Sequence, residues 1–260
     1  MSKAERNRQA ARERVARMRA LEAQRRRRRL WMGGAAAVLL VIAAVIGITL
    51  AVTSSSGTHP SGGGTPTLKL APLSTIGALD PAPAPGPAGP ESVPIPAAAA
   101  LAGTSAGATG STVDGIGCNT TEQTVFHIHA HLTIFVNGSP RQVAAGIGIP
   151  GARSQSGPGG TFITGGTCLY WLHTHAADGI IHIESPVHRT YTLGQVFDEW
   201  GQPLGPGQVG PARGHVTALY NGQVYQGNPR DIPLTAHAQV QLEVGTPLVG
   251  PETISFPSGL

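Results

Sequence analysis

Methionine, cysteine and, beyond the first 29 residues, positive charge are scarce in this chain of 260 residues, and each scarcity closes a route. The three methionines are Met1, Met18 and Met32, all near the N-terminus. A soft Cu(I) site of Cys and Met, or a blue-copper His₂Cys centre, therefore finds little support in the rest of the chain. Of 18 basic residues, 12 fall within residues 1–29 beside 3 glutamates, a net of +9 there. The remainder carries 6 basic and 11 acidic residues, a net of −5. The overall charge of +4 and pI near 9.5 thus belong to a tail. No nucleic-acid partner is expected for the folded part. A nucleophilic triad has little support either, since no serine is tied by spacing to the histidines.

Charge is absent altogether from residues 30–52, a run of 23 apolar or small residues. At about 1.5 Å per helical residue it spans the roughly 30 Å hydrocarbon core of a bilayer. Arg25 to Arg29 precede it directly, whereas the next hundred residues are nearly free of Lys and Arg. The positive-inside rule then predicts a cytoplasmic N-terminus and an extracytoplasmic remainder of a membrane protein. The run exceeds a signal-peptide core and lacks a convincing cleavage site, so an uncleaved single-pass anchor is expected. The Ala-, Arg- and Glu-rich segment 1–29 reads as a basic helix lying near anionic lipid.

Residues 53–114 are rich in Pro, Gly, Ser and Ala, with few large apolar side chains and no sustained period. Such a composition does not offset its ordering entropy by burial, and the segment is read as a stalk. From about residue 115 to 260 strand signals become frequent. Thr124 to Val136 alternates and ends at Asn137-Gly138, with a return run near Val143 to Ile149. Val216 to Tyr220 ends at Asn221-Gly222, and Val240, Leu242 and Val244 alternate with polar residues. Asn-Gly between such runs is a hairpin signal. One helix is expected at 193–200, capped by Thr192 with Gln195 three residues on and stopped by Gly201. Its buried side would be Val196, Phe197 and Trp200, and Asp198 and Glu199 its solvated side. The expected fold is mainly β, an antiparallel sandwich or partly open barrel with one short helix.

Cys118 and Cys168 both lie in the part expected outside the membrane, where two cysteines most simply form one disulfide. Closing a loop of about 50 residues stabilises by up to about 4 kcal/mol in the chain-entropy view. A thiolate ligand is the competing reading. Strand parity opposes it, because Cys168 falls on the opposite face from His173 and His175.

Histidine is what the chain has in quantity. His127, His129 and His131 alternate in FHIHAHLTIF and project from one strand face. In CLYWLHTHAADGIIHIES two β-favouring runs flank Asp178-Gly179. A two-residue type I′ turn there would set His175 opposite His182 and His173 opposite Glu184. One hairpin face then carries His173, His175, His182 and Glu184. Neutral imidazole suits Zn, Cu, Fe and Ni, and Zn or Cu(II) is the expected ion. His173, His175 and His182 rank first as ligands, then His129 and His131, then His127. Glu184 is placed to ligate, to orient an imidazole, or to act as a base toward bound water. Seven candidates exceed one coordination shell, so some are supporting groups or there are two ions. A polar histidine face without metal is the plain alternative to this reading. A metal-dependent enzyme with metal-bound water as nucleophile and a metal-free envelope interaction module are the other two functions in play.

FHIHAHLTIFVNG, CLYWLHTHAADGIIHIESP, TLGQVFDEWG and GNPRDIPLTAHAQVQLEVG together resemble a group of uncharacterised bacterial membrane-anchored proteins. The resemblance covers the chain from about residue 118 onward. It implies an extracytoplasmic domain in a bacterial envelope and brings no activity with it.

Overall fold

A computed structural model describes residues 68–260; the expected basic segment (1–29), the membrane span (30–52) and the first part of the stalk (53–67) lie outside the described residues. Among the described residues no helix is long and apolar enough to cross a membrane. The main sheet is built from β1 (Leu70–Ala71), β2 (Phe126–Val136), β3 (Ser139–Arg141), β4 (Leu172–His173), β5 (Ile180–Ser185), β6 (Val216–Tyr220), β7 (Gln223–Tyr225) and β8 (Gln239–Val244). Its order is β1-β7-β6-β8-β2-β5-β4, with β3 also paired to β2. Both Asn-Gly turns form as expected. Asn137 and Gly138 have φ of 50° and 73°, and Asn221 and Gly222 of 48° and 77°, the successive positive values that a type I′ turn requires.

The expected antiparallel sandwich or barrel is corrected to an open, mixed sheet among the described residues. β8 runs parallel to β2 in register Val240 to Leu132, while every other pair in this sheet is antiparallel. The hundred residues between β2 and β8 are long enough to make such a crossover. The return run at 143–149 is buried but forms no strand, because Gly146 and Gly148 take φ of 84° and 68°.

Alternation gives the sheet two unlike faces. Ala130, Leu132 and Ile134 of β2, Ile181 and Ile183 of β5, and Val240, Leu242 and Val244 of β8 join one core with the helix α1 (Leu193–Trp200). Val196, Phe197 and Trp200 of α1 are fully buried there, as expected. A capping box opens the helix, with the Thr192 amide donating to Gln195 Oε1 at 3.0 Å, and Gly201 closes it at φ 68°. The opposite face carries the histidines, with Gln241 and Glu243. A returning C-terminal segment covers this polar row: the Val249 amide donates to Glu243 Oε2 and the Glu252 amide to Gln241 Oε1, both at 2.7 Å.

The stalk reading fails from residue 68 onward. β1 adds to the sheet edge, and Ala71 packs with Leu219 and Val224. The Asp80 amide donates to the Leu248 carbonyl, the Leu101 amide to the Gln142 carbonyl and the Gln142 amide to the Ala99 carbonyl. Val93 is fully buried and Leu101 nearly so. The segment holds on through backbone hydrogen bonds and isolated apolar anchors, so it shows no hydrophobic period. Its prolines lower the entropy of ordering it. Elastase should therefore cut the folded protein within 68–114 only as fast as the whole domain unfolds. Rapid cleavage there in native buffer, followed by gel and mass analysis, would contradict this packing.

Glu199 is a second correction. The expected solvated position is fully buried, and neither carboxylate oxygen has a hydrogen-bond partner among the described residues. The cause is again the segment before residue 115, whose Ala108 amide donates to the Glu199 carbonyl. Burial first, then the charges of Asp198 and Asp114, push its carboxyl well above the usual range. A raised carboxyl binds its proton more tightly folded than unfolded, so stability falls as pH rises from the unfolded value near 4.3 through the folded one. Glu199→Met is expected to raise the unfolding free energy from urea titration at pH 7 by on the order of 1–3 kcal/mol, and to gain little at pH 4. Equal effects at both pH values would rule out this account.

Candidate metal centre

Strand pairing brings the two histidine motifs together. β2 pairs with β5 so that His127 faces Glu184, His129 faces His182 and His131 faces Ile180. β4 pairs with β5 on its other side, with His173 facing His182. Three adjacent strands therefore present His127, His129, His173, His182 and Glu184 on one face.

The hairpin differs from its expected register. His173, not His175, stands opposite His182, a shift of two residues. Asp178 lacks the positive φ of a type I′ turn; only Gly179, at φ 86°, has it. Thr174 leaves the strand because its hydroxyl donates to the Ala144 carbonyl at 2.7 Å and accepts from the Ile147 amide at 3.1 Å. Asp178 then caps the turn by accepting from the Ile180 amide at 3.1 Å. A shift of two preserves the face of every side chain, so the predicted histidine set survives the error.

The groups that could hold a metal are His127, His129, His182 and Glu184 in one set, His173, His175 and His182 in a second, and Glu122, His173 and Glu184 in a third. Within each set the ligand atoms lie within 4.8 Å of one another. In the first, His129 Nε2 is 3.2 Å from His127 Nε2 and 3.1 Å from His182 Nδ1. Glu184 Oε1 lies 3.2 Å from His127 Nε2 and 3.6 Å from His182 Nδ1. Two nitrogens bound to one tetrahedral zinc at about 2.0–2.1 Å stand about 3.3 Å apart, so this spacing fits a shared ion. In the second set His173 Nε2 and His175 Nε2 face each other at 3.2 Å.

Hydrogen bonds decide which nitrogens are bare. His173 Nδ1 donates to the Tyr170 carbonyl at 2.8 Å, and His175 Nδ1 to the Ile163 carbonyl at 2.6 Å. Carbonyls only accept, so both protons sit on Nδ1 and both Nε2 atoms carry lone pairs. Burial, then the charge of His182, lowers His173 well below the usual imidazole range and lowers His175 as well. Burial, then His182 and His127, lowers His129 to about 3. His182 is the exception. Burial alone would lower it, but hydrogen bonds and charge from Glu184 and Glu91 outweigh that and raise it to about 9. Its Nε2 donates to Glu91 Oε1 at 2.8 Å, leaving Nδ1 for the cluster.

Of the predicted residues, His127, His129, His173, His175, His182 and Glu184 are brought together and His131 is not. His131 Nε2 donates to the Asp178 carbonyl at 2.9 Å, and burial holds the ring at about 4. It shares the strand face but is a satisfied core histidine. Glu184 stands among the ligand atoms rather than beside them, which favours ligation over a base role. Cys118 and Cys168 form the expected disulfide and offer no thiolate.

Glu91 and Glu122 were missed by sequence reading. Glu91 orients His182 from the segment read as stalk, where it is the sole glutamate between residues 30 and 117. Glu122 Oε1 lies 3.9 Å from His175 Nε2 in an exposed loop. Gly103-Thr-Ser105-Ala-Gly107 has the spacing of a nucleophile-elbow motif but forms an exposed turn without the strand–helix elbow of that motif. No protein-family model, no curated protein and no solved structure matches this chain.

Proposed function

We propose that this is a single-pass membrane protein that presents a histidine-rich β-domain outside a bacterial cell membrane, and that the domain binds a transition metal, Zn or Cu(II). The observation that carries the metal reading is the convergence of three imidazole nitrogens and Glu184 Oε1, with neighbouring atoms 3.1–3.6 Å apart. The carboxylate–His182 pair adds to it. Glu91 on Nε2 fixes the ring and raises its basicity, the usual arrangement behind a metal-bound histidine. The ligand set of imidazole and carboxylate suits borderline cations and not Mg²⁺ or Ca²⁺.

Support for the location comes from the uncharged run at 30–52, the five arginines before it and the resemblance to membrane-anchored proteins. A disulfide fits an oxidising compartment. The basic segment would add contact with anionic lipid. Holding, delivering or sensing an ion requires no further residues.

Purified without an affinity tag, the full chain is expected to contain at least one equivalent of transition metal by elemental analysis. A His127→Ala/His129→Ala variant should hold less metal than the wild type while the domain stays folded by circular dichroism. Metal-free wild type that takes up neither Zn²⁺ nor Cu²⁺ ends the proposal.

A further inference from the structure

The cluster holds more donors than one ion uses, and their arrangement is divided. We propose that it is a two-metal centre bridged by Glu184, with one ion held by His127, His129 and His182 and the other by His173, His175 and Glu122. This rests on the metal-binding reading above and goes further, in stating two ions and a bridging ligand.

The first argument is the pairing of lone pairs. One tetrahedral ion at the His127, His129, His182 and Glu184 atoms completes its shell. That leaves His173 Nε2 and His175 Nε2, each bare because its Nδ1 proton is committed to a backbone carbonyl, facing each other at 3.2 Å. Two buried acceptors pointing at one another with no donor between them are repulsive. A cation between them turns the same geometry into ligation.

The second argument is the carboxylate. Glu184 Oε1 belongs to the first set, at 3.2 Å from His127 Nε2. Its Oε2 is buried with no hydrogen-bond partner among the described residues. A Glu184 oxygen also lies within 4.8 Å of ligand atoms of His173 and Glu122, the set on the other side. An orphaned carboxylate oxygen beside a second group of donors is the position of a bridge. His182 does not bridge, since its Nε2 is engaged by Glu91 at 2.8 Å.

The third argument is charge. Two dications meet Glu184, Glu122 and Glu91, leaving one positive charge. Single-ion loading leaves three carboxylates against one dication, with Glu91 and Glu184 both buried. Two-metal sites separated by roughly 3.5–4 Å activate a water held between the ions. The less buried ends of this cluster are at His127 and Glu122, whose side chains are 39% and 47% exposed, so solvent reaches both halves.

The test is the zinc stoichiometry of the full chain in detergent, stripped with chelator, reloaded, and measured by native mass spectrometry. Two ions per chain are expected. His173→Ala/His175→Ala and His127→Ala/His129→Ala variants should each keep one. Loaded with Cu²⁺, the wild type should show well under two spins per chain by electron paramagnetic resonance, through coupling across Glu184, and each variant about one. One ion in the wild type overturns the two-metal centre and leaves the metal-binding reading standing. Loss of all metal in either double variant, with the fold intact, shows one shared ion and also overturns it. No ion in the wild type overturns both readings. Two ions with two full uncoupled copper spins removes the bridge.

Discussion

His182→Ala is expected to weaken zinc binding by about 10²–10³-fold. A structural zinc site is worth roughly 10–16 kcal/mol at neutral pH, so one ligand in four carries about 3–4 kcal/mol. His182 sits on the middle strand of the three, opposite His129 on one side and His173 on the other. Its removal also strands Glu91 and Glu184, two buried carboxylates that lose their only imidazole in common. His131→Gln is the matched comparison. It lies on the same face of β2, and its ring serves the Asp178 carbonyl. That variant should lose about 1–3 kcal/mol of folding stability and keep its zinc affinity. Competition against a chromophoric chelator reads the affinity, and urea unfolding the stability. Retention of wild-type affinity by His182→Ala, or its loss in His131→Gln, would remove His182 from the site or put His131 into it.

The contrast between these two histidines marks where sequence was legible. Alternation placed His127, His129, His173, His182 and Glu184 on their faces correctly, because strand parity is a local property. It survived a wrong turn at Asp178-Gly179, since the register moved by two. Parity could not separate His131 from its neighbours, for the carbonyl that engages it arrives from the turn before β5. Whether the two motifs meet depends on β2 pairing with β5 across some fifty residues, which no local pattern encodes.

The same limit explains the errors in the segment before residue 115. Its anchors are single residues such as Val93 and backbone hydrogen bonds such as Asp80 to Leu248, neither of which makes a period. Reading it as a stalk hid Glu91, the partner of His182, and left Glu199 in solvent. A capping box is different in kind. Thr192, Gln195 and Gly201 act within one helix, and that helix was readable to the residue.

Zinc affinity is expected to rise about tenfold per pH unit between pH 7 and 9, and to flatten above 9. The unusual range follows from His182. Its proton, held by Glu184 and Glu91 up to about 9, occupies the position that an ion at Nδ1 requires. At pH 7 an ion therefore displaces about one proton from His182, at a penalty of about 2 pH units, or roughly 2.7 kcal/mol. His129, at about 3, and His173 and His175, also lowered, are bare at neutral pH and add no proton competition. Folding stability of the metal-free protein should run the other way. A histidine raised on folding contributes stability that is present below its unfolded value near 6.5 and lost as pH rises through 9. Metal-free protein thus weakens from pH 6.5 to 9, whereas zinc-loaded protein does not, and loading at a hundredfold excess over Kd adds about 2.7 kcal/mol. Titration calorimetry in buffers of differing ionisation enthalpy counts the released proton, and urea unfolding across pH follows the divergence. Release of no proton at pH 7, with an affinity flat from pH 7 to 9, would mean that no ion takes His182 Nδ1. The carboxylates around that ring would then hold a proton and not a metal.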